Sequence, residues 1–434
     1  MRPLIRAGWV LGVGGLALSP WAQGRDIDIE YGVGAGLEYS SNIARSQTDG
    51  QDDVVGIGNV ALSVNKEEGR LRVNSNASLS YQNFKNDTFS DQTLFDLKLD
   101  SEGRIVKDRF SWILSDYFTQ RPTRSIDPQT PDNQEDTNIF TTGPDLFFVA
   151  NSRNRFSLGS RYMQFYYQDQ EIDNRRYQLL GSWEFIASQT LGFGLSGTAA
   201  HVDYDNNDIP DFDIQNAFVR INYLRGRSTI KLDLGTTWIQ RDEVENQQGF
   251  LGNLDWLYEM NSRSSLQFTA FSRLADSGSN SLTASSTPDF GGNVSGQQSS
   301  ADTLTTTQAA VTYRHRTGSG YAGRLSLYVT DYNYDNTPQD RREFRSSADV
   351  TRSLADRFSA TLFGDYLYTD ETSTGRKDKT YTLGLRLSYK LGRKLSANLD
   401  LQREDRNSNR SENEFDENRV LFSIIYGIGR INPA

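Results

Sequence analysis

The sequence predicts an all-β protein, a transmembrane antiparallel up-and-down β-barrel of about 20 strands (18–20), with short periplasmic turns and long extracellular loops. Three observations predict it. Apolar residues alternate with polar or small residues over unusually long stretches. Short turns alternate with longer polar loops along the chain. Aromatic residues gather near the ends of the alternating stretches, on their apolar face.

The alternation is clearest at residues 27–40, where Ile, Tyr, Val, Ala and Leu occupy every second position. The same period of two recurs at 71–81, 217–223, 381–389 and 420–426. Strands in ordinary globular proteins average only about five or six residues. A strand of more than ten residues with two unlike faces indicates a sheet that separates two different solvents.

The connections between these strands alternate in length. Short turns rich in Gly, Asn, Asp, Ser and Arg are predicted near 66–69, 106–108, 152–154, 187–189, 225–228, 261–264, 317–320, 354–356 and 391–393. Longer polar loops are predicted near 41–53, 84–91, 121–137, 168–175, 204–213, 242–249, 275–303, 335–341, 371–378 and 405–417. Nine turns and ten loops join twenty strands, and the even number is typical of bacterial barrels.

A repeated sequence motif marks the beginning of several predicted strands. The chain reads "DRFSWIL" at 108–114, "NRFSL" at 154–158 and "DRFSATL" at 356–362. We expect the arginine to lie at the water boundary, the aromatic residue to point outward and the serine to point inward. The repeating unit is therefore a β-hairpin of two long strands, whereas a propeller blade, the main soluble alternative, would hold four short ones.

The composition limits the remaining classes. The chain has 434 residues, no cysteine, a formal net charge of −10 and a mean hydropathy of −0.63. The absence of cysteine excludes a disulfide framework and thiolate chemistry, and the acidic balance disfavours a nucleic-acid partner. Low hydropathy does not exclude a membrane barrel, because only one face of each strand is apolar. Only helices and closed barrels satisfy every backbone group in hydrocarbon.

The N-terminus predicts secretion. Residues 1–24 carry Arg2 and Arg6, then an apolar stretch and the small-residue site Ala22-Gln23-Gly24. This is the pattern of a signal peptide cleaved after Gly24. The prediction is therefore a signal peptide at 1–24 and an outer-membrane β-barrel at 25–434, in the bacterial outer membrane of a Gram-negative cell.

Four tryptophans test the membrane prediction. Each lies on an apolar-face position near a strand end, where an interfacial aromatic girdle would place it, namely at Trp112, Trp183, Trp238 and Trp256. The alternative is cross-strand packing in a soluble sheet.

The inward face carries charges of both signs. Residues predicted to line the lumen are Arg72, Lys98, Arg161, Arg220, Lys231, Asp233, Arg314, Arg324 and Arg386. They are interpreted either as solvated or paired wall residues or as hydrogen-bonding groups along the path of a sugar chain. The loop at 275–303 is interpreted either as a surface loop or as a segment that folds inward and constricts the lumen.

Catalytic and metal chemistry find little support. The two histidines, His201 and His315, fall at opposite ends of the predicted barrel, so no catalytic residue is assigned and the chain is predicted not to be an enzyme. Asp203, Asp205 and Asn207 resemble the beginning of a calcium loop, but the required glycine and the closing glutamate are missing. No metal site and no cofactor are predicted.

The stretch "YGVGAGLEYSSNIAR" at 31–45 resembles the first strand and loop of a β-barrel porin family found with exopolysaccharide loci, including PEP-CTERM-type loci. The resemblance implies a barrel that exports an exopolysaccharide across the outer membrane. The implied partners are outer-membrane lipid, lipopolysaccharide, the polysaccharide and periplasmic export proteins. The alternatives are a general diffusion porin for small solutes and a structural or adhesion barrel that acts through its surface loops. One departure from many outer-membrane barrels is that eight residues follow the last strand aromatic, Tyr426.

Overall fold

A computed structural model describes residues 27–48, 50–124, 126–241, 246–276 and 302–432. The predicted signal peptide at 1–24 lies outside the described residues, and so does most of the loop at 275–303, of which 277–301 are not described. The described ranges contain the complete set of strands discussed below.

Twenty strands form one antiparallel sheet, as predicted. They are β1 Asp28–Ser40, β2 Asp53–Lys66, β3 Leu71–Phe84, β4 Gln92–Val106, β5 Phe110–Arg121, β6 Glu135–Val149, β7 Asn154–Tyr167, β8 Asn174–Ile186, β9 Leu191–Tyr204, β10 Phe212–Arg225, β11 Ser228–Arg241, β12 Gln247–Asn261, β13 Ser264–Asp276, β14 Thr303–Arg316, β15 Tyr321–Tyr334, β16 Arg341–Ala355, β17 Phe358–Glu371, β18 Arg376–Lys390, β19 Leu395–Ser408 and β20 Phe415–Gly427. Two single-turn 3-10 helices, Pro131–Asn133 and Ser411–Asn413, lie in loops. Within the described residues no helix is long and apolar enough to span a membrane.

Each strand pairs with the next, and the sheet closes because β1 pairs with β20. The closing register runs from Gly32 opposite Gly427 to Ser40 opposite Arg419. Closure gives every strand two neighbours and leaves no sheet edge, which is what a strand protein needs in hydrocarbon. The nine turns on one side have two to four residues, and the connections on the other side are longer in most hairpins. By the rule for outer-membrane barrels, the turns face the periplasm and the loops face the exterior.

The two faces of the wall follow the predicted alternation. On β1 the outward residues Ile29, Val33 and Leu37 are 50%, 53% and 62% exposed, whereas the inward residues Glu38 and Ser40 are fully buried. This order is the reverse of a water-soluble protein, in which large apolar residues are buried. The outer surface therefore suits lipid, and the interior suits polar groups.

A polar pair on β5 and β6 departs from the outward apolar pattern. The register of β4, β5 and β6 puts Asp116 and Asn138 on the outer face, near the middle of the wall. The Asn138 Nδ2 donates a hydrogen bond of 2.7 Å to the Asp116 carboxyl group. Each polar side chain thereby satisfies part of the other's hydrogen-bonding need at a depth where water is scarce.

The interior is packed towards the extracellular end. One apolar cluster joins inward residues of β2, β3 and β20 to the first loop, and consists of Ile43, Val55, Ile57, Phe84, Leu421, Ile425 and Ile431. Further clusters line the same end between β5 and β15, and include Ile139, Phe165, Tyr167, Val202, Phe212, Ile239, Leu304 and Tyr332. Towards the periplasmic end the inward side chains are open, as with Arg155 and Glu184, which are 56% and 44% exposed.

The segment after β20 turns into the barrel. Gly427 and Gly429 have positive φ angles of 87° and 108°, which only glycine adopts freely. The Ile428 N–H donates to the Tyr31 carbonyl oxygen at 3.1 Å, and Ile431 is 2% exposed beside Ile425 in the first apolar cluster. Residues 427–432 therefore form an inward tail that packs against β1.

Candidate functional site: the barrel interior and its extracellular mouth

All nine residues predicted to line the lumen occupy inward positions of their strands, by register and alternation. Most of them pair with a neighbouring strand. The pairs are Arg72–Glu102 at 3.3 Å, Arg161–Asp145 at 2.8 Å, Arg220–Asp233 at 2.7 Å, Arg324–Asp349 at 2.7 Å and Arg386–Asp400, while Arg314 donates to Gln267 at 3.0 Å. Lys98 and Lys231 have no ion pair within 4.0 Å in the described part of the chain.

These pairs make a wall that is polar but nearly neutral. Arg220, for example, donates from Nε and Nη2 to both oxygens of Asp233, at 2.7 and 2.9 Å. Because the Arg220 side chain is 45% exposed, water screens the pair, and such pairs stabilise a fold by no more than about 1 kcal/mol. Their exposed edges still offer donors and acceptors to a solute in the lumen.

A loop that the sequence did not single out closes part of the mouth. Residues 122–134, between β5 and β6, reach the far side of the barrel opening. There Arg376 of β18 binds Asp127 at 3.1 Å and donates to the Ile126 carbonyl oxygen at 3.1 Å. Arg406 of β19 donates to the same carbonyl at 3.2 Å. The loop is therefore fastened seven strands away from its own hairpin.

A third arginine fastens the tip of this loop. Arg45, in the loop after β1, donates from Nη1 to the Gln129 carbonyl oxygen at 2.8 Å. Its Nε binds Glu417 at 3.0 Å, and its Nη2 lies 3.6 Å from Glu404. Glu417 is 2% exposed, so these charges are paired in a desolvated setting where loss of one partner is costly. We call loop 122–134 with Arg45, Arg376 and Arg406 the mouth latch.

The internal structure of the latch loop is also ordered by hydrogen bonds. Asn133 donates to the Arg124 and Pro128 carbonyl oxygens at 2.9 and 3.1 Å, and accepts from the Arg124 N–H at 2.8 Å. Three prolines at 122, 128 and 131 restrict the backbone of the same segment. This proline run was the signal in the sequence that could have distinguished it from the other loops. The inward folding predicted as one possibility for 275–303 concerns residues that are mostly outside the described ranges.

Aspartates in other loops cap strand ends. The last residue of an upward strand donates its N–H to an aspartate carboxylate in four hairpins, at 2.7 to 3.1 Å. These pairs are Phe84 with Asp91, Tyr167 with Asp173, Tyr204 with Asp211 and Tyr334 with Asp340. The acidic loops thus have a structural use in ending strands.

The stretch that resembled a calcium loop uses its carboxylates differently. Asp205 binds Arg175 at 2.8 Å, and Asp203 lies 3.8 Å from the same arginine. Asp211, a few residues later, accepts the Tyr204 N–H. In the described ranges no group of three His, Asp or Glu residues is arranged to hold a metal ion.

The two histidines lie at opposite ends, as the sequence suggested. His201 is on the outer face near the exterior and its Nδ1 is 2.8 Å from Asp213 Oδ1, while both side chains are about half exposed. His315 is near the periplasmic turns, and its Nδ1 is 2.8 Å from Ser264 Oγ. Neither contact brings a serine, a histidine and a carboxylate together.

The four tryptophans all occupy outward positions. Trp112, Trp183 and Trp256 are 44%, 38% and 39% exposed near the periplasmic end, and Trp238 is half-buried towards the exterior. The Trp112 Nε1 donates to Thr142 at 2.8 Å, and the Trp183 Nε1 donates to Asn154 at 2.9 Å. Two of the four indole nitrogens therefore have partners on the wall, and the interfacial girdle stays a prediction.

The closed antiparallel barrel, its apolar exterior and its polar interior define the class: a β-barrel channel of the porin and transporter type in the bacterial outer membrane. Residues 341–426 match the family described as "Putative beta-barrel porin 2". The resemblance to a β-barrel porin family is confirmed on this C-terminal part of the chain, β16 to β20. The match does not include the stretch at 31–45 on which the resemblance was first noted.

Three solved structures are similar to the chain, one of them at a TM-score above 0.5. The FrpB iron transporter from Neisseria meningitidis is similar at a TM-score of 0.51 and 8% identity, over 95% of this chain and 83% of that one. The siderophore receptor PirA from Pseudomonas aeruginosa gives 0.49 at 11% identity, over 92% and 80%. OccK2 (OpdF) from the same organism, in complex with glucuronate, gives 0.42 at 12% identity, over 93% and 99%. No curated protein sequence matches the chain.

Proposed function

We propose that this barrel exports an exopolysaccharide across the outer membrane. The observation that carries the proposal is the nearly neutral inner wall, in which arginines and aspartates of adjacent strands bind each other and leave hydrogen-bonding edges free. Sugar hydroxyl groups need donors and acceptors in many directions, and a paired wall supplies both without trapping a small ion. Phenylalanine rings lie beside two of these ion pairs. The Arg220 guanidinium is 5.4 Å from the Phe218 ring centre, and the Arg386 guanidinium is 5.7 Å from the Phe363 ring centre.

The mouth latch supports a conduit whose extracellular mouth is narrowed at rest. A polymer in transit has to displace loop 122–134 or pass beside it, because the loop is fastened on the far side of the mouth. The three arginines hold loop 122–134 through three contacts to backbone carbonyl oxygens and one to a carboxylate. Hydrogen bonds of this charged kind contribute about 1.5–3 kcal/mol each. Such a latch can open without unfolding the wall.

We extend the proposal to the partners and to catalysis. The apolar outer face contacts outer-membrane lipid, the outer rim contacts lipopolysaccharide, and periplasmic export proteins deliver the polymer to the turns. The barrel transports and does not catalyse, and it needs no nucleic acid. Support comes from the separation of His201 and His315, which lie on strands β9 and β14 at opposite ends of the wall.

Single-channel conductance in a planar bilayer tests the proposal, with dextran and an exopolysaccharide of the source cell as added polymers. We expect a steady conductance that each polymer interrupts. A variant with Arg220→Gln and Asp233→Asn on the inner wall should alter the duration of each block, whereas the outward variant Val219→Ala serves as the matched control. Conductance that no polymer interrupts would indicate a general diffusion porin. A lack of conductance in the wild type, and also in a variant whose loop 122–134 is released by Arg376→Gln, would indicate a structural or adhesion barrel.

A further inference from the structure

The nine periplasmic turns carry an excess of positive charge without carboxylate partners among the described residues. They contain nine arginines and lysines against four acidic residues. Arg109, Arg227, Arg263 and Arg357 are typical, each exposed in a turn of two or three residues. In the described part of the chain, which includes every one of these turns, none of the nine has an ion pair within 4.0 Å. We call these nine residues the basic rim.

The opposite end of the barrel has the reverse charge. The described loop residues on that side include sixteen aspartates and glutamates and four basic residues. The formal net charge of −10 therefore conceals a separation along the barrel axis, with cations at the periplasmic end and anions at the exterior. The inner wall between them is nearly neutral because its arginines are paired with aspartates.

A ring of unpaired charge at the mouth of a low-dielectric barrel acts beyond its own side chains. Fields of this kind concentrate oppositely charged solutes and raise their association rates by about 10- to 1,000-fold. Screening limits the reach to about 8 Å at physiological ionic strength. A small ion contacts one rim cation at a time and dissociates easily. A polymer with many charged residues binds several rim cations at once, so its effective affinity is much higher.

We propose that the exported polymer is an acidic polysaccharide, with carboxylate groups along its chain, and that the basic rim captures it from the periplasm. This inference rests on the proposed export function. Lys231, unpaired on the inner wall a few residues above the turn at 226–227, continues the positive surface into the lumen. The acidic exterior opposes entry of the same polymer from outside, so capture has one direction.

Block of the single-channel current by an added polymer tests the inference. The polymer is added first to one side of the bilayer and then, in a separate experiment, to the other. Polygalacturonate is the acidic probe and dextran of similar length is the neutral one, in a zwitterionic bilayer. We expect polygalacturonate to block from the periplasmic side at a concentration on the order of tenfold lower than from the extracellular side. The difference should shrink in high salt.

The rim variant neutralises three turns, with Arg227→Gln, Arg263→Gln and Arg357→Gln. Its matched control removes three cations from the other end, none of them in the mouth latch, with Lys85→Gln, Lys377→Gln and Arg410→Gln. The rim variant should raise the half-blocking concentration of periplasmic polygalacturonate on the order of tenfold, and leave dextran block unchanged. The control should leave periplasmic block of both polymers unchanged. Thermal unfolding of each variant verifies that the barrel is intact.

Other outcomes separate the inference from its premise. If dextran and polygalacturonate block equally from both sides, the proposed export function is retained. The inference that the exported polymer is acidic is then wrong. If neither polymer blocks at either side, the proposed export function itself fails. If the rim variant retains periplasmic block but loses affinity for vesicles containing phosphatidylglycerol, the rim binds lipid phosphate, and the inference is overturned.

Discussion

Two ion pairs on the inner wall have the same chemistry and opposite surroundings. Arg176 and Asp276, at the extracellular end, bind through two contacts of 2.6 and 2.9 Å and are 4% and 1% exposed. Arg220 and Asp233, nearer the periplasm, also bind through two contacts, but the arginine is 45% exposed. The first pair joins β8 to β13 across the interior, whereas the second joins adjacent strands.

The difference shows that one barrel contains two kinds of interior. The extracellular end is packed like the core of a soluble protein, with rings, aliphatic side chains and desolvated charges in contact. The periplasmic end is a wet vestibule whose charges are shared with water. Among the described residues, the interior is therefore narrowed at its extracellular end and open to water at its periplasmic end.

The largest expected effect is on the buried pair. Arg176→Met removes the two hydrogen bonds from the guanidinium to the buried Asp276 carboxylate, and should lower the free energy of unfolding by about 3–5 kcal/mol. Arg220→Met is the matched control, and because water reaches that pair it should cost no more than about 1 kcal/mol. Urea unfolding in lipid vesicles, followed by tryptophan fluorescence, measures both. Equal losses would mean that the two interiors do not differ.

The second effect is on the mouth latch. Arg376→Gln removes the contacts to Asp127 and Ile126 and should weaken the anchoring of the loop by about 1.5–3 kcal/mol. Single-channel recordings should then show higher and noisier conductance. Arg386→Gln is the control, since Arg386 pairs with Asp400 on the neighbouring strand and holds no loop. An unchanged trace in the Arg376 variant would show that loop 122–134 does not limit the conducting path.

A smaller effect concerns the outer wall. Asp116→Leu removes a carboxyl group that faces lipid near mid-strand, and should stabilise the barrel by about 1 kcal/mol, since acidic residues on the lipid face cost less than the 2–4 kcal/mol of a basic residue. Ala77→Leu, also outward, is the control for added apolar area. The same unfolding assay compares them. Destabilisation by the Asp116 variant alone would show that the contact with Asn138 does more than satisfy two polar groups.

The smallest effect is on pH dependence in the loop after β3. Hydrogen bonds from Asn83, Tyr81 and the Phe84 N–H lower the pKa of Asp91. A lowered folded pKa means that the cap is present above the ordinary carboxyl range, near about 4, and is lost as the pH falls through the folded pKa. Hydrogen exchange at the Phe84 N–H should therefore speed up in acid. Asp91→Asn should exchange faster at neutral pH as well, and identical profiles would exclude the cap.

Period-two alternation was sufficient to predict the strands, their number and the side to which Arg161, Arg324 or Leu37 points, because each of these depends on residues that are close in sequence. It could not predict the contact of Arg176 with Asp276, which lies 100 residues away, or the reach of loop 122–134 to Arg376. Those contacts depend on the diameter and closure of the barrel. The charge of the turns was visible in the sequence, but its significance depended on learning that the lumen charges are paired and the turn charges are not.

The inward tail has a consequence for the order of folding. Ile431 packs against Ile425 of β20 and beside Gly34 and Gly36 of β1, so its site is built from both ends of the chain. Before the first and last strands meet, that site does not exist. We therefore expect the tail to dock only after β1 and β20 have paired, and its contacts to stabilise the closed seam. We also expect residues 428–432 to slow the opening of a finished barrel.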